Sequence, residues 1–243
     1  GAKDNAATWA IAQNQRADMS SLDSVKTSLN RATSIADVSL AAGAQISDIL
    51  VEIKAKVVAA ADPSSSAASR KAYDDEFQSL LKSLQSFADN ATFDGENILN
   101  GALTTALPFL ASADAQETIT MNRQDLTLTG LGLGTAGANP GDPMVTPSLL
   151  TQAGAEAALA LVETALTTSN SRLAELGAQA KQIEKHNVFV GKLMDSLEVG
   201  VGNLVDADLA KESARLQALQ VQQQLGSQAL SIANQAPQII LSL

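Results

Sequence analysis

Two long, nearly unbroken segments with a coiled-coil repeat constrain the fold of this chain more than any other feature. The first, from Ala2 to about Ala61, has no proline and a single glycine, Gly43. Its apolar residues recur every 3 or 4 positions, and ten such steps cover 35 residues, a mean spacing of 3.5. This is the period of a coiled-coil seam, whereas a straight surface helix has a period of 3.6. The predicted seam consists of Leu22, Val25, Leu29, Ala32, Ile35, Val38, Ala42, Ile46, Ile49, Ile53 and Val57.

The second segment runs from about Ser148 to Ala236 and has the same repeat, with twelve steps over 42 residues. Two helices of this length pack most simply side by side and antiparallel. We therefore predict a mainly α fold, a long antiparallel α-helical coiled-coil rod with a small β-rich excursion at its distal end. The second predicted seam consists of Val162, Ala165, Ser169, Leu173, Leu176, Ala180, Ile183, Asn187, Val190, Met194, Leu197, Val201 and Leu204.

A shorter helix and a strand-rich stretch connect the two long segments. Pro63 ends the first helix, and a second helix is predicted from near Ser66 because the serines there can cap it. Alternation of period 2 predicts strands at Glu117–Met121 and Asp125–Thr129. The apolar stripe predicted for the second helix is Tyr73, Phe77, Leu80, Leu84 and Phe87.

These patterns divide the chain into four predicted parts. Residues 1–100 hold the first rod helices and 101–147 the excursion of strands and loops. Residues 148–205 form the second long rod helix, and 206–243 a terminal helix whose apolar pattern thins into Ala, Gln and Ser.

The charge and the rare residue types argue against several classes of function. Sixteen Lys plus Arg against 26 Asp plus Glu give a net charge of −10, which disfavours nucleic acid. With one histidine, His186, and no cysteine, we expect no catalytic residues, no metal and no cofactor. No stretch of about 18 uninterrupted apolar residues occurs, so we expect no membrane insertion.

Asn187 occupies a seam position where Leu, Ile or Val would be expected. A buried Asn fixes the register of a coiled coil at a cost in stability. The alternative is that the seam rotates locally and leaves Asn187 in water. The sequence leaves both interpretations open.

Short motifs at both ends of the chain carry a family resemblance. At the N-terminal end they are residues 2–7 (AKDNAA), 28–32 (SLNRA) and 41–46 (AAGAQI), and 93–99 (FDGENIL) follows the short helix. At the C-terminal end they are 208–212 (DLAKE), 233–238 (ANQAPQ) and 241–243 (LSL). Together and in this order, they resemble bacterial flagellins over nearly the whole chain apart from its strand-rich middle.

The resemblance implies an exported structural subunit of the extracellular flagellar filament, which polymerises through its terminal helices and serves motility. The implied partners are other flagellin subunits, and an export chaperone and a cap for the full-length protein. The start resembles a point inside the family's N-terminal region, so the first terminal helix is expected to be missing and this fragment to be monomeric. Two alternatives are a flagellin homologue acting as a cell-surface adhesin or polysaccharide-binding protein, and a hook–filament junction protein. The expected assembly residues are Leu209, Leu216, Leu219, Leu225, Leu230, Ile232, Asn234, Gln235 and Pro237.

The resemblance also implies a surface equivalent to the one that an innate Toll-like receptor detects on some flagellins. Aligned on Gln45-Ile46, Glu52 stands where that pattern has Arg, and Lys56 where it has Leu. A reversed charge at an interface hot spot weakens binding. We therefore predict weak or absent receptor activation.

Overall fold

The computed structural model describes residues 6–135 and 144–241, with no side chain described for residue 208 or beyond residue 230. The chain is mainly helical with a few small antiparallel strands, as predicted. The sequence predicts a helix from about Ser148 to Ala236, and the observed helix begins at Gln152 and ends at Leu241. The elements are α1 (Ala6–Ala61), α2 (Ala67–Asn90), β1 (Thr92–Phe93), β2 (Glu96–Asn97), β3 (Leu107–Leu110), β4 (Thr118–Met121) and α3 (Gln152–Leu241).

The described residues form two compact units. The core unit is Asp23–Val190, and the terminal unit combines residues 6–22 of α1 with residues 191–241 of α3. Both long helices therefore contribute to each unit. The predicted division at 205/206 within α3 stays a prediction.

Three polar pairs show that α1 and α3 run antiparallel in a constant register within the core unit. Asn187 Nδ2 donates to Asn30 Oδ1 at 2.7 Å, and Ser47 Oγ donates to Asn170 Oδ1 at 3.2 Å. The third pair is Lys54 with Glu163, at 2.9 Å. From Asn30 to Ser47 the chain advances 17 residues along α1 while the partner retreats 17 along α3, and the next 7 are matched in the same way.

The seam predicted for α3 is confirmed, because all thirteen positions are buried or half-buried. On α1 the buried face is displaced by one residue in one stretch: Ser39 and Leu50 are buried, whereas Val38 and Ile49 are only half-buried. The displacement surrounds Gly43, where a Cβ atom would lie 2.2 Å from Leu173 Cδ2 and 3.5 Å from Leu126 Cδ1. The seam period could not predict this, because a loop residue joins the helix contact there.

The break between α1 and α2 is held by local hydrogen bonds. Ser66 caps α2 by accepting from Ser69 N at 3.0 Å. Arg70 of α2 donates to Ala60 O at 3.0 Å and Asp62 O at 2.8 Å, which satisfies carbonyls at the end of α1. The buried stripe of α2 differs in part from the predicted one: it is Phe77, Leu81, Leu84 and Ala88, and Phe87 is exposed.

One of the two predicted strands is confirmed and the other is wrong. Thr118–Met121 forms β4 and pairs antiparallel with Leu107–Leu110, a strand that the sequence pattern did not predict. Residues 125–129 form a loop and turn instead. The carboxylate of Asp125 accepts from the backbone nitrogen of Thr127 at 3.0 Å and from its hydroxyl at 2.5 Å, a local pattern that competes with strand pairing.

By length and composition alone, α1 holds a stretch apolar enough to cross a membrane, and among the described residues it is the one helix that does. This is weak evidence, because the core helix of a soluble protein passes the same test. Leu29, Ile46 and Ile53 of α1 are fully buried against the rest of the core unit.

Candidate assembly surface

The candidate functional site is the row of leucines on the last part of α3, in the terminal unit. Leu209, Leu216, Leu219, Leu225 and Leu230 are 53% to 67% exposed. Exposed leucines in such number are unusual, since a fully covered Leu side chain contributes roughly 1.5 to 3 kcal/mol relative to an exposed one. The other predicted assembly residues lie outside the described side chains; they are Ile232, Asn234, Gln235 and Pro237.

Four of these leucines follow a coiled-coil spacing that is offset by one residue from the upstream seam. From Leu209 the positions 212, 216, 219, 223, 226 and 230 follow in alternating steps of 3 and 4, and Leu216, Leu219 and Leu230 occupy three of them. Upstream, Val201 of the same helix is 7% exposed. An apolar spacing of 3 and 4 residues therefore recurs beyond Val201, on a neighbouring face of α3 and without its burial.

A second apolar face lies on the other side of this part of the helix. At about 100° per residue, Val221 and Leu225 project roughly opposite to Leu209 and Leu216. Val221 is 54% exposed. A helix with two apolar faces buries both only when neighbours cover it from two sides.

The α1 portion of the terminal unit also exposes apolar side chains. Ala12 and Leu22 are buried, but Trp9 and Ile11 are close to half exposed. Among the residues that the structure describes, the terminal unit thus exposes apolar side chains on both of its helices.

The residues predicted to match the receptor surface, Glu52 and Lys56, lie in the core unit, away in sequence from the leucines. Glu52 is exposed, and Lys56 forms an ion pair with Glu76 of α2. The hydrogen bond and the negative charge of Glu76 raise the pKa of Lys56 above its ordinary value. The ammonium group of Lys56 is therefore already paired with Glu76 within the chain.

Asn97, which the sequence analysis did not single out, locks the turn after α2. Its side-chain amide donates to Ala88 O at 2.8 Å and to Asp89 O at 3.0 Å, two carbonyls at the end of the helix. Its Oδ1 accepts from Leu99 N at 2.7 Å and Asn100 N at 3.2 Å. Asn97 belongs to the FDGENIL motif at 93–99, and its four hydrogen bonds are the physical reason that this segment turns.

Arg123 is the second residue that the sequence analysis missed. Its side chain is 9% exposed and donates to Thr105 O at 3.0 Å, Asn97 O at 2.7 Å and Glu96 Oε2 at 2.8 Å. It fastens the residues after β4 to the turn after α2. A lone Arg next to a strand carries no sequence signal for this role.

Arg172 fixes the following loop to α3. Its Nη1 donates to the carbonyl oxygen of Asp125 and, at 3.1 Å, to that of Gly130. Both ends of the 125–130 turn are thereby attached to the long helix.

The structure decides how Asn187 and His186 are used. Asn187 is half-buried, and its hydrogen bond to Asn30 joins α3 to α1, which supports the register interpretation. His186 Nε2 lies 2.7 Å from Ala111 O, and its ring lies 5.8 Å from that of Phe189. Neither residue belongs to a metal cluster: within residues 6–135 and 144–241, no group of three or more His, Cys, Asp or Glu could hold a metal ion.

Comparison with known proteins identifies the family of the chain that carries these exposed leucines. Residues 1–104 match the bacterial flagellin N-terminal helical region, and residues 159–243 match the bacterial flagellin C-terminal helical region. The chain belongs to the bacterial flagellin family. It is thus a structural subunit of the extracellular flagellar filament, as the resemblance implied.

The relatives agree with this assignment. The chain is 48% identical to flagellin FljK of Caulobacter vibrioides over 242 residues, which covers 100% of this chain and 84% of FljK. It is 37% identical to a flagellin of Brucella melitensis over 243 residues, covering 100% of this chain and 85% of the relative. The crystal structure of Bacillus cereus flagellin shares the fold with a TM-score of 0.56 at 22% identity, covering 67% of this chain and 87% of that one. These matches leave the adhesin alternative without support.

Proposed function

We propose that this flagellin assembles through the two apolar faces of α3 between Leu209 and Leu230, and that residues 206–243 form the C-terminal helix of the filament's inner tube. The supporting observation is the row of five leucines, each more than half exposed on a helix whose earlier seam residues are buried or half-buried. Since only 53% to 67% of each residue is still exposed, covering it with a neighbouring subunit contributes roughly 1 to 2 kcal/mol. Polymerisation therefore supplies stability that the single subunit lacks.

We further propose that an export chaperone covers this surface before assembly and that a filament cap receives the subunit. The reason is physical: an unassembled subunit exposes Leu216, Leu219 and Leu225 to every other copy. A chaperone that binds the leucine row prevents premature association.

The assembly proposal is tested in the flagellated cell with the full-length protein. Leu216→Ser combined with Leu219→Ser removes two exposed leucines from one face. We expect exported flagellin in the medium but short or absent filaments by electron microscopy. The matched control is Gln217→Ser with Gln224→Ser, which alters exposed polar residues of the same helix. Filaments of normal length in the leucine variant would contradict the proposal, and loss of export would point to the chaperone step.

We also propose that the core unit is a weak activator of the innate Toll-like receptor. The exposed Glu52 and the ion-paired Lys56 support this, because neither offers the Arg and Leu that the resemblance associates with detection. In a reporter-cell assay, Glu52→Arg with Lys56→Leu should raise the response. Glu76→Gln serves as the control, since it breaks the ion pair of Lys56 and leaves the two surface residues in place. A strong response from the unaltered protein would contradict this proposal.

A further inference from the structure

An Asn-Gly step lies at the surface of the loop that follows β2. Asn100 is half-buried and Gly101 is exposed, so water reaches both. Gly101 has a φ of +65°, a left-handed conformation that glycine adopts without steric cost. Gly101 has no side chain of its own that could stand between its backbone nitrogen and the neighbouring Asn100 side chain.

The side-chain carbonyl of Asn100 is already polarised. Its Oδ1 accepts a hydrogen bond from Ala102 N at 3.1 Å. An N–H donor aimed at a carbonyl oxygen stabilises the negative charge that develops there when a nucleophile attacks the carbon. The loop therefore presents an activated amide next to an unhindered nitrogen.

We propose that Asn100 is a site of spontaneous deamidation, in which the protein modifies itself without an enzyme. The Gly101 nitrogen gives up its proton to the solvent base and attacks Asn100 Cγ, forming a new C–N bond. The Cγ–Nδ2 bond breaks, and the nitrogen takes a proton and leaves as ammonia, which closes a five-membered imide. Water then opens the ring at either carbonyl and yields aspartate or isoaspartate, so the balance is amide plus water to carboxylate plus ammonium.

Asn97, three residues earlier, is a natural internal control. Its side chain is buried, and its amide nitrogen and oxygen make two hydrogen bonds each within the fold. It is followed by Ile98, a β-branched residue that crowds the backbone nitrogen. Asn97 should stay intact while Asn100 reacts.

The product has a structural consequence, because the loop packs against a carboxylate. A Cβ on Gly101 would lie 2.6 Å from Asp125 Oδ2, so the carboxylate of Asp125 stands directly beside this step. A new negative charge at residue 100 is repelled by it. Isoaspartate also lengthens the main chain next to Leu99, whose carbonyl accepts from Leu126 N at 2.8 Å. Deamidation therefore loosens the attachment of the 125–130 loop.

The test is mass spectrometry of the purified protein after incubation at several pH values. Trypsin releases residues 83–123, which contain Asn90, Asn97, Asn100 and Asn122. We expect a gain of about 1 Da that fragmentation places on Asn100. Its rate should rise about tenfold per pH unit, since the fraction of deprotonated amide nitrogen does so.

Two outcomes would overturn the proposal. One is a mass gain at Asn97 or Asn90 as fast as at Asn100. The other is an unmodified Asn100 in the folded protein under conditions where the same chain in urea deamidates there. For the consequence, Asn100→Asp should melt at a lower temperature than Asn100→Ser, whose hydroxyl can still accept from Ala102 N. Equal melting temperatures would show that the added charge does not loosen the loop.

Discussion

The helix α3 behaves differently in the two units of the molecule. In the core unit Leu176 is completely buried, and in the terminal unit Leu219 is 53% exposed, although both belong to apolar rows spaced by 3 and 4 residues along one helix. The same sequence pattern therefore serves two purposes. Where a partner helix of the same chain covers the repeat, it folds the subunit, and where none of the described residues does, it stays available for a neighbouring subunit.

The largest expected difference between the two regions is in the cost of losing a leucine. Leu176→Ala should lower the free energy of unfolding by about 2 to 5 kcal/mol, because it leaves a cavity in a packed seam. Leu219→Ala should leave it within about 0.5 kcal/mol, as for other exposed positions. Urea unfolding followed by circular dichroism measures both. A similar loss in the free energy of unfolding for the two substitutions would contradict the difference between the two units.

Ser169 offers a second test, with a smaller expected effect, of whether water is excluded from the seam of the core unit. Its Oγ is buried and, in the part of the chain that the structure describes, has no hydrogen-bond partner. Such an orphaned hydroxyl costs about 1 to 3 kcal/mol, so Ser169→Ala should stabilise the core unit by up to that amount. Ser47→Ala is the control, because it removes a hydroxyl that donates to Asn170 and should be destabilising. Thermal melting of both variants distinguishes the two cases.

Substitution of two glycines of α3 by alanine tests how helix stability differs between the core unit and the terminal unit. Gly177 and Gly226 both have open space where a Cβ would stand. Alanine in place of glycine favours a helix by about 1 kcal/mol. Gly177→Ala should raise the global free energy of unfolding by this amount, whereas Gly226→Ala should slow hydrogen exchange only around residue 226. A global effect of Gly226→Ala would show that the end of α3 unfolds together with the core.

The smallest expected effect is the loss of stability at low pH in the turn between β3 and β4 of the core unit. The hydrogen bond from the Ser112 hydroxyl, followed by that from Gln116 N, lowers the pKa of Asp114 below its ordinary value. A lowered pKa in the folded state adds stability above the unfolded pKa of about 3.9, and this stability is lost as the pH falls through the lower folded value. Carbon NMR of the Asp114 carboxyl should show a midpoint below that of an unfolded peptide. Ser112→Ala should raise this midpoint, and an unchanged midpoint would contradict the assignment.

The long helices and their seams could be predicted from the sequence because a period of 3.5 over dozens of residues has one physical meaning. Val162, Leu176 and Val190 are buried as that period requires. The displacement around Gly43 could not be predicted, since it depends on Leu126 arriving from a loop distant in the sequence.

The short elements were harder to predict for the same reason. The alternating residues at 125–129 predict a strand. The hydrogen bonds between Asp125 and Thr127, and those from Arg172 to the carbonyl oxygens of Asp125 and Gly130, hold this segment as a turn instead. Asn97 and Arg123 act through hydrogen bonds to carbonyls, which any backbone offers and no motif marks. For the assembly surface, the leucines were predicted from the sequence, and the structure adds that each is more than half exposed among the described residues.

The constant register of α1 and α3 has a mechanical consequence for the core unit. Asp23 and Val190, where the chain enters and leaves this unit, lie at the same end of the helix pair, because the helices are antiparallel. A force that pulls these two residues apart separates the helices progressively from that end. The Asn30–Asn187 hydrogen bond breaks first, the Ser47–Asn170 hydrogen bond second and the Lys54–Glu163 ion pair last. A force along the helix axis that slides α1 past α3 strains all three pairs and the whole seam at once. The core unit is therefore stiff against sliding loads and weak against peeling at its open end.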